Sequence, residues 1–116
     1  MQKDITTLAD VEVLVRTFYH KVLADELLAP HFEGIDFEHH FPRMIGFWAF
    51  ILLDIEGYKG NVMDKHSHLA IGPAHFERWV ELFSATVDEL YIGTKATMAK
   101  QRATLLGHTF QAKFNQ

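Results

Sequence analysis

The stretch KHSHLAIGPAHFERW, residues 65–79, sets His66, His68 and His75 beside a Gly-Pro break and a tryptophan, and holds three of the chain's eight histidines. Imidazole binds metals and carries protons near neutral pH, so the spacing of these rings decides what chemistry they can share. A zinc site of the His-Glu-x-x-His type is absent, and no cysteine exists to supply a thiolate. A carboxylate di-iron bundle needs Glu-x-x-His on two helices, whereas Glu38 precedes His39 and His40 by one and two residues. Ser67 and Ser84 lack a Gly-x-Ser-x-Gly setting, and no glycine-rich phosphate loop occurs. Two readings are left: ordinary surface-loop histidines, or a metal held by one of them. A porphyrin iron needs a single strong protein ligand, provided that an apolar slot encloses the ring. His66 is followed at three and five residues by Leu69 and Ile71, which could pack beneath the same plane, and His68 is the alternative two residues on. Tyr19 and Trp79 each put one polar tip on an otherwise apolar helical stripe, where a buried hydroxyl or indole N–H wants a partner.

The elements that must position these groups read as helices throughout. Leu8, Val11, Leu14, Val15, Phe18 and Val22 recur at three- and four-residue steps behind a capping pair, Thr7 and Asp10. DELLAPHFEG (25–34) reads as a turn region. A second helix is expected over 38–54 with Met44, Phe47, Trp48 and Ile51 inward, becoming regular near His40 because Pro42 fits best in a first turn. Residues 55–68 read as a long loop of the kind that covers a ligand. A third helix begins at Gly72-Pro73, with Phe76, Trp79, Val80, Phe83, Val87 and Leu90 on one face. Gly93 suits a C-terminal cap and Thr94 the next N-cap, before a fourth helix with Met98, Leu105, Leu106, Phe110 and Phe114 inward.

At 116 residues the chain is expected to form one domain, residues 1–116, with one continuous core; ten phenylalanines make that core unusually aromatic. The net charge of −4 and the lack of any Lys/Arg run argue against nucleic acid. FWAFILL (47–53) is too short to span a bilayer, no signal peptide is apparent, and the absence of cysteine fits a cytoplasmic setting.

Six stretches resemble the truncated haemoglobins, in that family's order and spacing: FYHKVLAD (18–25), APHF (29–32), HFPRMIGFW (40–48), YKG (58–60), KHSHLAI (65–71) and HFERWVELF (75–83). HFPRM…FW followed by HFERW is similar to the third of the family's three groups. The resemblance implies an all-α, globin-like fold, a two-over-two helical sandwich around haem b. It implies His66 as the axial iron ligand, with Tyr19, Trp79 and His40 on the distal side. Phe32, Met44, Phe47 and Trp48 would face the haem, and Arg43 would meet a propionate. Leu69, Ile71 and Phe76 are expected to complete the slot. Ala70 stands where the family often has proline.

That pocket would bind dioxygen, nitric oxide, carbon monoxide or peroxide at a five-coordinate iron. Tyr and Trp donors favour a ligand that carries partial negative charge, each by about 1 kcal/mol or more. Firm retention suits redox chemistry, of the nitric oxide dioxygenase or peroxidase kind, better than delivery, and would need a separate electron donor. The alternative is a reversible oxygen carrier or sensor without turnover.

Overall fold

The computed structural model describes residues 2–32, 37–56 and 73–114. Five helices follow in order: α1 Leu8–Ala24, α2 Ala29–Phe32, α3 Phe37–Leu53, α4 Pro73–Leu90 and α5 Thr94–Phe114. α1 packs on α3 and α4 packs on α5; the two pairs meet with α1 against α4 and α3 against α5. This is the expected two-over-two sandwich. No helix among the described residues is long and apolar enough to cross a membrane.

α1 starts where the sequence says it should. The Thr7 side chain accepts from the Asp10 N–H while the Asp10 carboxylate reaches back to the N-cap backbone. Burial would raise the Asp10 carboxyl, but the Lys3 ammonium and the Thr6 and Thr7 donors outweigh it and hold the group well below the usual carboxylate range. Val11, Leu14, Val15, Phe18, Tyr19 and Val22 are buried, whereas Leu8, in the first turn, is 49% exposed and lies outside the expected face. The expected turn region holds the short helix α2, set up by Asp25, whose Oδ2 accepts from the Leu27 and Leu28 N–H groups at 3.2 and 3.1 Å.

α3 begins at Phe37, one residue before the expected start and three before the expected onset of regular helix, with Pro42 inside it. The proline leaves the Glu38 carbonyl without its helical donor, and packing offsets that loss. The Phe41 ring lies 6.4 Å from that of Tyr19, and the Arg16 guanidinium stands 4.7 Å from its centroid. α3 therefore has two working faces. Ile45, Trp48, Ala49 and Leu52 enter the core, while His40, Met44, Phe47 and Ile51, at helical spacing, form a second face that is only half-buried. The single expected stripe is thus split, with Trp48 on the core side.

α5 departs furthest from expectation. Its buried face is Ala96, Ala99, Ala103 and Gly107, and Leu105 is 57% exposed. Two residues from Ala103, Leu105 points about 160° away from that face. The small face allows close approach to α4: a Cβ on Gly107 would stand 2.7 Å from Val80 Cγ2. The side chains of Phe110 and Phe114 lie outside the described residues.

Thr94 is the first helical residue of α5, and the cap comes instead from the far end of the chain. Asp4 accepts from the Lys95 and Ala96 N–H groups at 3.0 and 2.8 Å. The N-terminal strand is held there by the Ile92 N–H, which donates to the Lys3 carbonyl at 2.9 Å, and by fully buried Ile5. Gly93 makes this possible. Its φ is +138°, and a Cβ there would lie 2.5 Å from Asp4 Cγ. Gly93→Ala should therefore strain the backbone and push the cap away, lowering stability by about 2 kcal/mol or more. Urea unfolding checks this, and a change below about 0.5 kcal/mol, the range of ordinary surface substitutions, would refute it.

Candidate ligand pocket

The inner side of α1 brings Phe18 and Tyr19 against α4. Phe83 is the hub: Trp48 stacks on it at 4.7 Å and Trp79 at 5.8 Å, with Phe18 edge-on at 5.1 Å. Phe18 also meets Tyr19 at 4.8 Å and Trp79 at 5.5 Å. This rigid aromatic block comes from three helices and leaves the ring positions little freedom.

At its edge lies the Tyr19 phenol. The residue is 7% exposed, with Phe32 from α2 at 6.1 Å and Phe41 from α3 at 6.4 Å. The Trp79 indole N–H donates to its oxygen, so two residues sixty positions apart in sequence share one hydrogen bond. Burial pushes the Tyr19 pKa up to about 12, and the indole donor opposes that rise in part. Tyr19 is thus a neutral hydroxyl at any physiological pH.

Met44, Phe47 and Ile51 make up the half-buried face of α3 and pack against the core cluster, and His40 occupies the same stripe, its ring 6.4 Å from that of His39. Large apolar side chains that are neither core nor surface suit a flat, largely apolar group, so the residues on this side fit the expected haem. Arg43, one position from the stripe, is exposed, as a partner for an anionic edge would be. Phe76 is buried and borders a separate cavity of about 240 Å³ with Val80 and Gly107, between α4 and α5. Residues 57–72, which carry most of the expected loop together with His66, His68, Leu69 and Ile71, lie outside the described residues. Among the described residues, no group of three or more His, Asp or Glu side chains could hold a metal ion.

Tyr19, Phe32 and Trp79 are therefore brought together, as are His40, Met44 and Phe47, while Trp48 is committed to the aromatic block. The sequence reading missed Phe41, whose ring lies against Tyr19. His31 is half-buried, and its ring meets that of His75 edge-on at 4.5 Å. His20 and His108 are exposed.

The family model of the bacterial-like globins matches residues 3–111. A group 1 truncated haemoglobin of Tetrahymena pyriformis is 30% identical over 100 residues, covering 85% of this chain and 81% of that one. A group 3 truncated haemoglobin of Campylobacter jejuni is 30% identical over 105 residues, covering 84% and 83%. The crystal structure of the group III truncated haemoglobin from Campylobacter jejuni matches with a TM-score of 0.88 at 27% identity, over 98% of this chain and 95% of that chain. That of the Tetrahymena pyriformis protein in its Fe(III) form matches with a TM-score of 0.75 at 25% identity, over 89% of each. The sequences do not separate the groups, but the backbone lies nearer the group III structure than this group 1 relative's.

Proposed function

Since the chain belongs to the bacterial-like globin family and has a group III truncated haemoglobin as a near structural neighbour, we propose that it holds haem b through His66 and binds dioxygen or another diatomic ligand beside Tyr19. Bound haem supplies an iron that takes up such a ligand and exchanges single electrons. The observation that carries the reading is the buried Tyr19 hydroxyl, which accepts from Trp79 and stays neutral over the physiological range, its pKa pushed up to about 12 by burial.

The residues divide the work. Tyr19 donates to the ligand, and Trp79 fixes and polarises the Tyr19 hydroxyl. Phe32, Met44 and Phe47 exclude water, so the donated bond acts at low dielectric, where it is stronger. Trp48 backs this wall through Phe83. Arg43 meets a propionate at the solvent edge, and Leu69 and Ile71 line the remaining sides. A ligand held by such a donor is released slowly. That favours chemistry with nitric oxide or peroxide, supported by a separate electron donor, over oxygen delivery. Offering haem to the purified protein tests the first step: a Soret band is expected, and its absence would overturn the proposal. Steady consumption of nitric oxide with a defined reductant is then expected, and binding without consumption would leave a reversible carrier or sensor.

His40 acts in this reading as a gate. It stands on the half-buried face of α3, two residues before the proline that interrupts the helical bonding. His40→Leu should change ligand association rates by about three-fold or more and dissociation rates less, in line with a barrier to entry. Flash photolysis reads both. A low-spin, six-coordinate ferrous spectrum that disappears in His40→Leu would show instead that this histidine binds the iron.

A further inference from the structure

The Tyr19–Trp79 bond joins two helices, so it holds only while α4 keeps its register against α1. Two ion pairs among the described residues tie the two helices: Lys21 of α1 with Glu89 near the end of α4, and Asp25 with Arg78 beside Trp79. Asp25, the C-cap of α1, lies six residues beyond Tyr19, and Arg78 immediately precedes Trp79. Arg78 Nε donates to Asp25 Oδ1 at 2.7 Å, and the Asp25 side chain is only 9% exposed. Its other oxygen holds the Leu27 and Leu28 N–H groups at the entry to α2. The Arg78 hydrogen bond is the main influence that holds the Asp25 carboxyl below its usual range, against burial and with help from the backbone donors. Arg78 also donates to exposed Glu81 at 3.3 Å. One carboxylate thus links the end of α1, the start of α2 and the residue beside Trp79, and the His31–His75 ring contact closes the same α2–α4 seam.

We propose that the Asp25–Arg78 pair is a positioning clamp for the pocket, setting the register of α4 on α1 and thereby the Trp79–Tyr19 hydrogen bond. Neither residue touches the ligand. The proposal's effect on dioxygen rests on the reading of Tyr19 as the ligand's donor; its effect on Trp79 does not. The Arg78 side chain is 43% exposed, but its Nε meets a carboxylate that is covered and already held by backbone donors, so the length and direction of this charge-assisted hydrogen bond are more narrowly set than those of a fully exposed pair.

The chain has two tryptophans, and that makes a clean test possible. Trp48 sits on α3 in the aromatic block and reports general loosening, whereas Trp79 reports the clamp. In the purified protein as isolated, NMR would follow solvent exchange of the two indole N–H groups. Arg78→Leu should speed exchange at Trp79 about ten-fold or more and leave Trp48 within about two-fold. Dioxygen release should rise about three- to ten-fold, less than for loss of the donor itself. Asp25→Asn, which keeps an acceptor for the α2 backbone, should give the same pattern more weakly and serves if Arg78→Leu does not fold. Arg78→Lys should recover part of the protection, and Glu81→Gln should change neither indole. Equal acceleration of both indoles would make the pair a general stabiliser, and no acceleration would remove it from the pocket; either result overturns the clamp. Selective loss at Trp79 without faster dioxygen release would uphold the clamp and count against the role given to Tyr19.

Discussion

Tyr19→Phe should speed dioxygen release about ten-fold or more, and Trp79→Phe should do so by a smaller factor. The structure makes the two unequal. The Trp79 indole donates to the Tyr19 oxygen, so in the proposed pocket the phenol proton is the one that bonds the ligand and the indole acts behind it. Removing that proton takes away a hydrogen bond to a partly charged acceptor in a dry site, an effect on the order of 1–3 kcal/mol. At about 1.4 kcal/mol per factor of ten, this gives the expected rate change. Trp79→Phe leaves the donor in place but unpolarised and less well held. The double variant should then release dioxygen hardly faster than Tyr19→Phe alone, because the indole acts through the phenol. Carbon monoxide, which accepts weaker bonds, should leave at nearly unchanged rates in all three. Stopped-flow displacement of dioxygen measures each rate. Equal and additive effects would show two separate donors, and no effect of Tyr19→Phe would remove the polar pocket from the function.

His66→Ala should abolish tight haem binding, whereas His68→Ala should change little. Haem in a pocket of this kind depends on one strong protein bond to iron, with apolar contacts supplying the rest. In the proposed pocket the apolar contacts would be shared among Phe32, Met44, Phe47 and their neighbours, so no single one of them should matter as much. Added imidazole can fill the space left by the His66 side chain and should restore a Soret band, giving a ligand bond that the chain no longer tethers. Haem titration of the two variants, with and without imidazole, decides between the histidines. Loss of haem in His68→Ala with retention in His66→Ala would shift the ligand by two residues.

Both expectations begin from residues that the sequence singled out, and the structure treats them differently. The helices were legible because helical amphipathicity is a local property. Val11 to Val22 on α1 and Phe76 to Val87 on α4 repeat their apolar residues within two or three turns, and the Thr7–Asp10 box marks a start with two side chains. The six stretches shared with the truncated haemoglobins likewise needed only order and spacing, and the match over residues 3–111 bears them out.

What the sequence could not reveal lies between elements. It named Tyr19 and Trp79 as two donors, but the direction of the bond between them depends on how α1 and α4 cross. It assigned the α5 core to large side chains; Met98 and Leu106 do pack against the core, but its fully buried face is Ala96, Ala99, Ala103 and Gly107, because close approach to α4 rewards small residues that carry little hydrophobic signal. It placed the α5 cap on Thr94, but Asp4, about ninety residues away, supplies it, since a carboxylate satisfies helix N–H groups from any part of the chain that folds against them. Periodicity within one segment determines that a helix forms and that it has an apolar face. Which residues of that face meet a partner, and which are left half-covered beside Tyr19, follows only from the register between helices, set by contacts such as Asp25 with Arg78 that no local pattern encodes.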